Sequence, residues 1–421
     1  MKSDSFRLKF KKSLDAVPAT ARLLILARLA RSFGQGALVV DFALYLHALH
    51  WSGVSIGALF MGGMLFGAAL TSLLGPLSDR LGRRQFLIGY EFSQIAAASI
   101  ALMTAQPAWL AMAAIMGGFG RGANGSPGPF APVEQSWLAN NIEPHFRGLV
   151  FSFNSAMGFF GMCIGALLAG VPGWVSGSNL APDDFRLLFW IVLLGSVSSV
   201  ILLRFTRESK PIDHPGPQEK ADAASESLSE KEENSLLIRL AAVNVLSGLG
   251  VGLVGPLLTY WFKLRFGVGP GAIGPVMALA FFATGVGALL SGWMTRRFGV
   301  VNVVVYLRLF GLILLLPMAF SPSFLWAGLF YVARSALSRG TVGARQALGV
   351  SLVNEKRRGL AASINSVSMM LPFALGPFLA GALFQLGALI LPFVIGTAFQ
   401  AANLYLYRRF FLTHDPSREA R

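Results

Sequence analysis

Charge is scarce in this 421-residue chain. Asp, Glu, Lys and Arg make up 13% of it, about half of what a soluble globular domain carries. Acids are scarcer still: eight of the twenty lie in one polar stretch, 207–235, and only Asp41, Glu91 and Glu134 fall inside long apolar runs. Cysteine is nearly absent. Cys163 stands alone within an apolar run, which excludes an intramolecular disulfide and any cysteine-pair metal site, and reads as a packing residue. There is no Gly-Lys dipeptide, hence no phosphate-cradling lysine loop, and no H-E-x-x-H. These absences set aside a chain that pumps with ATP on its own and a zinc hydrolase. The chain does not read as an enzyme, and no cofactor is expected.

What is present is apolar: 54% of the residues are hydrophobic and the mean hydropathy is +0.61. Runs long enough for a membrane helix, about 20 residues each, recur at 22–48, 53–77, 85–105, 108–138, 149–171, 186–206, 236–262, 272–294, 299–319, 323–349, 361–385 and 388–410. Backbone polar groups in lipid must be satisfied within the segment, so these lengths call for helices. The expected class is an all-α membrane protein with twelve helices in two six-helix bundles, 22–206 and 236–410. A basic arm at 1–21, a linker at 207–235 and a tail at 411–421 complete the division. The arm lacks a short apolar core before a cleavage site, so it reads as a cytoplasmic segment ahead of an uncleaved first span. The linker is rich in Glu, Ser, Lys and Pro and has little to bury, which predicts a mobile connection.

The net charge of +15 is distributed in a way that argues against nucleic acid as a partner. Lys and Arg gather in the arm and in "DRLGRR", "TRRFG", "EKRRG" and "YRRF", while the alternate loops carry almost none apart from Lys263 and Arg265. By the positive-inside rule both termini are expected in the cytoplasm, with the chain in the cell (inner) membrane and its bases near lipid headgroups.

The two halves repeat each other. "RGLVFSFNS" at 147–155 returns as "RGLAASINS" at 358–366 and "GALLAG" at 165–170 as "GPFLAG" at 376–381, both at an offset of 211. "GPLSDRLG" at 75–82 returns as "GWMTRRFG" at 292–299, at 217. An even number of helices per half makes the copies parallel, related by an axis along the membrane normal.

Six plus six spans, a charged linker and the loop Gly75, Leu77, Asp79, Arg80, Gly82, Arg83 and Arg84 between spans two and three resemble the major facilitator superfamily. The degenerate copy after span eight falls where that family has one. The resemblance implies a secondary transporter working by alternating access, with spans one, four, seven and ten lining the cavity. It also implies that Asp79 braces the cytoplasmic side against span eleven, which begins near Leu360. In the loop itself, Gly75 and Gly82 permit a tight turn, and Arg80, Arg83 and Arg84 hold it in the cytoplasm. Span eleven carries "LGPFLAG", close to a glycine-proline element that the family's exporters have in span five; span five here has Gly158, Gly161, Gly165 and Gly170, without the proline.

Acids of the first half align with bases of the second: Asp79 with Arg296 and Glu91 with Arg308 at 217, Glu134 with Arg345 at 211. Spans three and nine are peripheral in the family, so Glu91 and Arg308 are expected to pair within their own halves. Glu134 and Arg345 could meet as an inner gate, or their match could be coincidence among arginine-rich ends.

Asp41 is the acid furthest from any charged loop, roughly 28 Å into span one at 1.5 Å per residue, with Tyr45 on the same face. Ionisable groups at such depth line cavities or relay protons, so Asp41 is a candidate for proton coupling. The alternatives are a carboxylate fixed by a nearby arginine or one open to the outer vestibule. Arg121, in "GGFGRGANGSPGPFAP", resembles the family's R-x-x-x-G element in span four; it is a candidate for proton coupling or for anion contact in the cavity, beside Asn124. It could also simply bind helix carbonyls. Pro127, Pro129 and Pro132 predict a kink beyond it. Arg334, at comparable depth in span ten, is a second cavity candidate. Arg28 and Arg31 are expected to snorkel to the cytoplasmic interface, and His47 and His50 flank the outer end of span one.

Together these features predict proton-coupled export of a small organic compound by a functional monomer. Its partners are the small-molecule substrate, protons and membrane lipid. The alternative is uptake or exchange of a small organic anion, and a non-transporting scaffold or receptor ranks below both.

Overall fold

A computed structural model describes residues 18–120, 128, 131–142, 147–177, 180–206, 230–298, 300–339 and 358–411. Among these residues there is no strand. In the first half, span one is the helix Ala19–Ala48, span two Gly53–Leu81 and span three Arg83–Met103. Span four is two helices, Pro107–Gly117 and Ala131–Asn140. Span five runs Arg147–Ala169 with a short continuation, Val171–Ser176, and span six is Arg186–Arg204. In the second half, span seven divides into Glu230–Gly252 and Leu258–Phe266, and span eight is Pro270–Phe298. Span nine divides into Val300–Ile313 and Leu315–Ala319, followed by Phe324–Arg339, Arg358–Gln385 and Leu391–Phe411 as spans ten to twelve. Among the described residues eight helices are long and apolar enough to cross a membrane: spans one to three, five to eight and eleven.

Packing follows the repeat. Span one lies along spans five and six, and span seven along spans eleven and twelve; span three packs on six as nine packs on twelve. The halves meet where span two lies along span eleven and span five along span eight, again a contact and its copy. Close approach of backbones makes this possible. A Cβ on Gly161 or Gly165 would run into the carbonyls of Leu29 or Phe33 in span one, so these glycines are helix-packing residues of the small-residue kind. On the outside, Trp190, Leu194 and Ile201 of span six and Leu279, Phe282 and Leu290 of span eight stand exposed. Apolar surface of that extent fits lipid, not water.

Three expectations change. Span four already breaks before Arg121: the first helix ends at Gly117, and Gly118 and Gly120 take positive φ of 61° and 79°, while the kink expected beyond Arg121 falls largely outside the described residues. Left-handed glycines, not the later prolines, end that helix. The turn after span two is made by Gly82 alone, at φ 98°, while Gly75 lies inside the helix. Span seven begins at Glu230, so the last six residues of the expected linker are helical. Its own break at 253–257 contains Pro256, which has no N–H to continue the helix. Span one, by contrast, runs unbroken through Asp41.

Candidate functional site

Asp41 sits seven residues from the end of span one, about 10 Å along the helix. It is 1% exposed, and neither carboxylate oxygen has a hydrogen-bond partner among the described residues. One turn on, the Tyr45 ring packs edge-on to Phe189 with centroids 5.3 Å apart and against Phe185 at 5.9 Å. The adjacent Phe42 stacks on Phe60 and meets Phe119 edge-on. Residues of spans one, two, four and six therefore wall this region with rings. Two residues before Asp41, the Val39 carbonyl accepts a hydrogen bond of 3.2 Å from the Thr259 hydroxyl. Thr259 opens the second piece of broken span seven, so this stretch of span one lies on the seam between the halves.

The remaining membrane acids, Glu134 and Glu91, are each paired with a base, although Glu91 Oε2 has no hydrogen-bond partner among the described residues. Glu134 accepts from Arg28 Nη1 (3.3 Å) and Asn154 Nδ2 (3.0 Å) on Oε1 and from Arg31 Nη2 on Oε2. Arg31 Nη1 also reaches Glu91 Oε1 at 3.1 Å, and the Ser199 hydroxyl donates to that same oxygen. The Tyr90 ring lies 5.8 Å from the Arg31 guanidinium. Five spans, one and three to six, are tied by this buried cluster of two acids and two bases. Arg28 and Arg31 thus turn inward, correcting the expectation that they snorkel to the interface: stacked at i and i+3 on one helix face, they meet carboxylates instead of lipid headgroups. Two arginines in span one, three residues apart, and one acid in each of spans three and four were the signal available in the sequence. The cluster also redirects Glu134. Both of its oxygens are engaged within the first half, so the contact the structure shows for it is not the cross-half gate; Arg345 lies outside the described residues.

Glu91 and Arg308 each pair within their own half. Arg308 donates to Asn403 Oδ1 (2.9 Å) and Ser247 Oγ (3.1 Å), from spans twelve and seven. Spans three, one and six supply Glu91, Arg31 and Ser199; spans nine, seven and twelve supply Arg308, Ser247 and Asn403. The same three-helix corner is built twice, with a guanidinium where the first copy has a carboxylate. Arg334 is buried and donates to Gln400 Oε1 at 3.2 Å, and Gln400 donates in turn to the Gly250 carbonyl.

In the charged loop, Arg83 donates to the Ser136 carbonyl (3.5 Å) and Arg84 to the Arg204 carbonyl (2.6 Å). Arg84 therefore caps the end of span six, where helix carbonyls lack partners. Arg121, Asn124 and Arg296's side chain lie outside what is described, as do the side chains of Asp79 and Arg80.

Residues 24–239 and 240–421 each match a family model described as Major Facilitator Superfamily. Multidrug resistance protein MdtG of Serratia proteamaculans (strain 568) is 25% identical over 289 residues, 64% of this chain and 62% of that protein. Multidrug resistance protein 3 of Bacillus subtilis (strain 168) is 28% identical over 152 residues, 35% of this chain and 28% of that one. The matches thus span about three fifths and about a quarter of these relatives' lengths. Among solved structures, a bacterial homolog of the human lysosomal transporter Spinster, inward-facing and unoccupied, superposes with a TM-score of 0.69 at 16% identity, covering 94% of this chain and 98% of that one. A D-xylose-proton symporter gives 0.68 at 16%, covering 92% and 96%. At such identities the likeness concerns the fold.

Proposed function

We propose that this chain, which belongs to the major facilitator superfamily, is a proton-coupled exporter of small organic compounds that works by alternating access. The family is one of transporters and not of enzymes, and the chain is a multi-pass membrane protein; coupling, direction and sidedness are our reading. The observation that carries it is Asp41, a carboxyl without a hydrogen-bond partner among the described residues, buried on the seam where the halves meet. A charged carboxyl without a partner is costly in a dry site. Its proton occupancy is therefore linked to whichever conformation wets it, and that linkage is what allows a proton to drive a conformational change. The ring-lined region beside it suits a compound with apolar surface. The multidrug relatives support export of such compounds, and the charge asymmetry of the loops supports cytoplasmic termini in the cell membrane, which places Asp41 in the outer half. We take the monomer as the functional unit, since one chain contains both halves of the machine.

The test has two steps. A thermal-stability screen of organic cations, anions and neutral compounds on purified protein picks out a ligand, because binding to the folded state raises the melting temperature. In proteoliposomes with an internal pH dye, that ligand is expected to move protons, and Asp41→Asn is expected to abolish the movement while leaving ligand binding. Proton movement that survives Asp41→Asn overturns the coupling role. Flux insensitive to the pH gradient and lost in Arg121→Ala instead supports anion uptake or exchange.

A further inference from the structure

The seam between the halves contains two hydrogen bonds that are copies of each other. Trp174, at the end of span five, donates from Nε1 to the Gly271 carbonyl at the start of span eight, 2.8 Å away. Gln385, at the end of span eleven, accepts on Oε1 from the Val54 amide at the start of span two, at 3.1 Å. The repeat offsets of 211 and 217 relate these residues one to one, Trp174 to Gln385 and Val54 to Gly271. Beneath them the backbones touch in the same duplicated way. A Cβ on Gly57 would collide with the Pro377 carbonyl, and one on Gly274 would lie 2.7 Å from the carbonyl of Ala166. The same offsets pair Gly57 with Gly274 and Ala166 with Pro377, so "LGPFLAG" finds its use here.

Each bond serves a backbone group that its own helix leaves without a partner. Val54 is the second residue of its helix, where an amide has no carbonyl four residues back to bond. Gly271 is the second residue of span eight, and the amide that would reach its carbonyl belongs to residue 275, which is proline. In both copies the missing partner comes from the other half of the molecule. Separating the halves at this end would leave those two groups to water.

We propose that Trp174–Gly271 and Gln385–Val54 form a twofold latch that closes this end of the transporter and sets how readily it opens. On the topology proposed above this is the outer end. The latch itself is independent of that assignment and of any coupling ion. It is a geared pair: one copy donates from a side chain, the other accepts on one, and breaking either loosens the same seam.

Spin labels on Gln106→Cys and Ser323→Cys, one in each half near this end and both at exposed positions, report its opening in a Cys163→Ser background without substrate or pH gradient. The parent protein is expected to show a dominant short distance. Trp174→Phe and Gln385→Leu should each raise the ratio of long to short distances about two- to fivefold, and the double variant by about the product. Gln385→Glu keeps the acceptor and should stay near the parent value, which separates loss of the bond from damage to the fold. Pro275→Ala restores an in-helix donor for Gly271 and should loosen the seam when Trp174 is present but add nothing in Trp174→Phe. An unchanged distribution in the double variant overturns the latch. So does a Gln385→Glu shift equal to that of Gln385→Leu. Because no transport is measured, failure of the export reading would leave these distances untouched, and failure here would leave proton movement untouched.

Discussion

Replacing Glu134 by glutamine keeps the shape of the side chain and removes one negative charge from the buried cluster. With Glu134 neutral, Arg28 loses the only carboxylate it reaches in the cluster and Arg31 keeps Glu91 at 3.1 Å. The cluster goes from two acids against two bases to one against two, inside a site where the Glu134 side chain is 4% exposed. Breaking a buried pair by removing one partner costs about 3–5 kcal/mol, since the other charge remains buried. Because Arg31 retains Glu91, the lower end, about 3 kcal/mol, is expected here. Adding Arg28→Gln restores balance, and replacing a whole buried pair is far cheaper than halving it. The double variant should therefore recover most of the loss, with a coupling energy above about 1 kcal/mol. Unfolding by SDS titration in mixed micelles, followed by tryptophan fluorescence, measures all three; Trp137, fully buried one turn from Glu134, is a local reporter. Glu134→Gln within about 0.5 kcal/mol of the parent would refute the argument, as would a double variant as unstable as the sum of the single ones. A role for Glu134 as inner gate predicts the opposite pattern, with stability kept and the inward opening changed.

Other outcomes can be read in the same titration. Gly158→Ala places a Cβ 2.7 Å from Arg28 Nε and should cost about 1–3 kcal/mol by displacing the guanidinium, and much less in an Arg28→Ala background. Gln94→Leu removes the donor that reaches the Gly117 carbonyl at 2.6 Å, where the first piece of span four ends; leaving that carbonyl unpaired should cost about 1–3 kcal/mol. Asp41→Asn, which breaks no hydrogen bond among the described residues, should unfold within about 1 kcal/mol of the parent even where it abolishes proton movement. A large loss of stability there would show that the carboxylate has a structural partner.

The spans were legible because a membrane helix announces itself by length and hydropathy alone, and the repeat because "RGLVFSFNS" and "RGLAASINS" survive as sequence. Asp41 stood out for the same reason, as a charge with no charged neighbour in the chain. The fate of Arg28 and Arg31 was not legible. Snorkelling and inward pairing require the same residues at the same depth, and only the positions of spans three and four decide which face of span one is buried. The end of the first helix of span four was not legible either, because a glycine in a Gly-rich run does not reveal by sequence which copy turns left-handed; Gly118 and Gly120 do so here.

By itself the sequence determined the class, the twelve apolar segments, the two parallel halves and the shortage of acids, since each follows from local hydropathy, composition or repetition. Which charges meet was decided by tertiary structure, because a buried acid takes its partner from whatever helix packs against it and sequence separation places no limit on that choice. Glu134 finds Arg28 and Arg31 more than a hundred residues away. Trp174 and Gln385 look like unremarkable loop-end residues until span eight and span two are laid beside them, each with a backbone group that its own helix cannot satisfy.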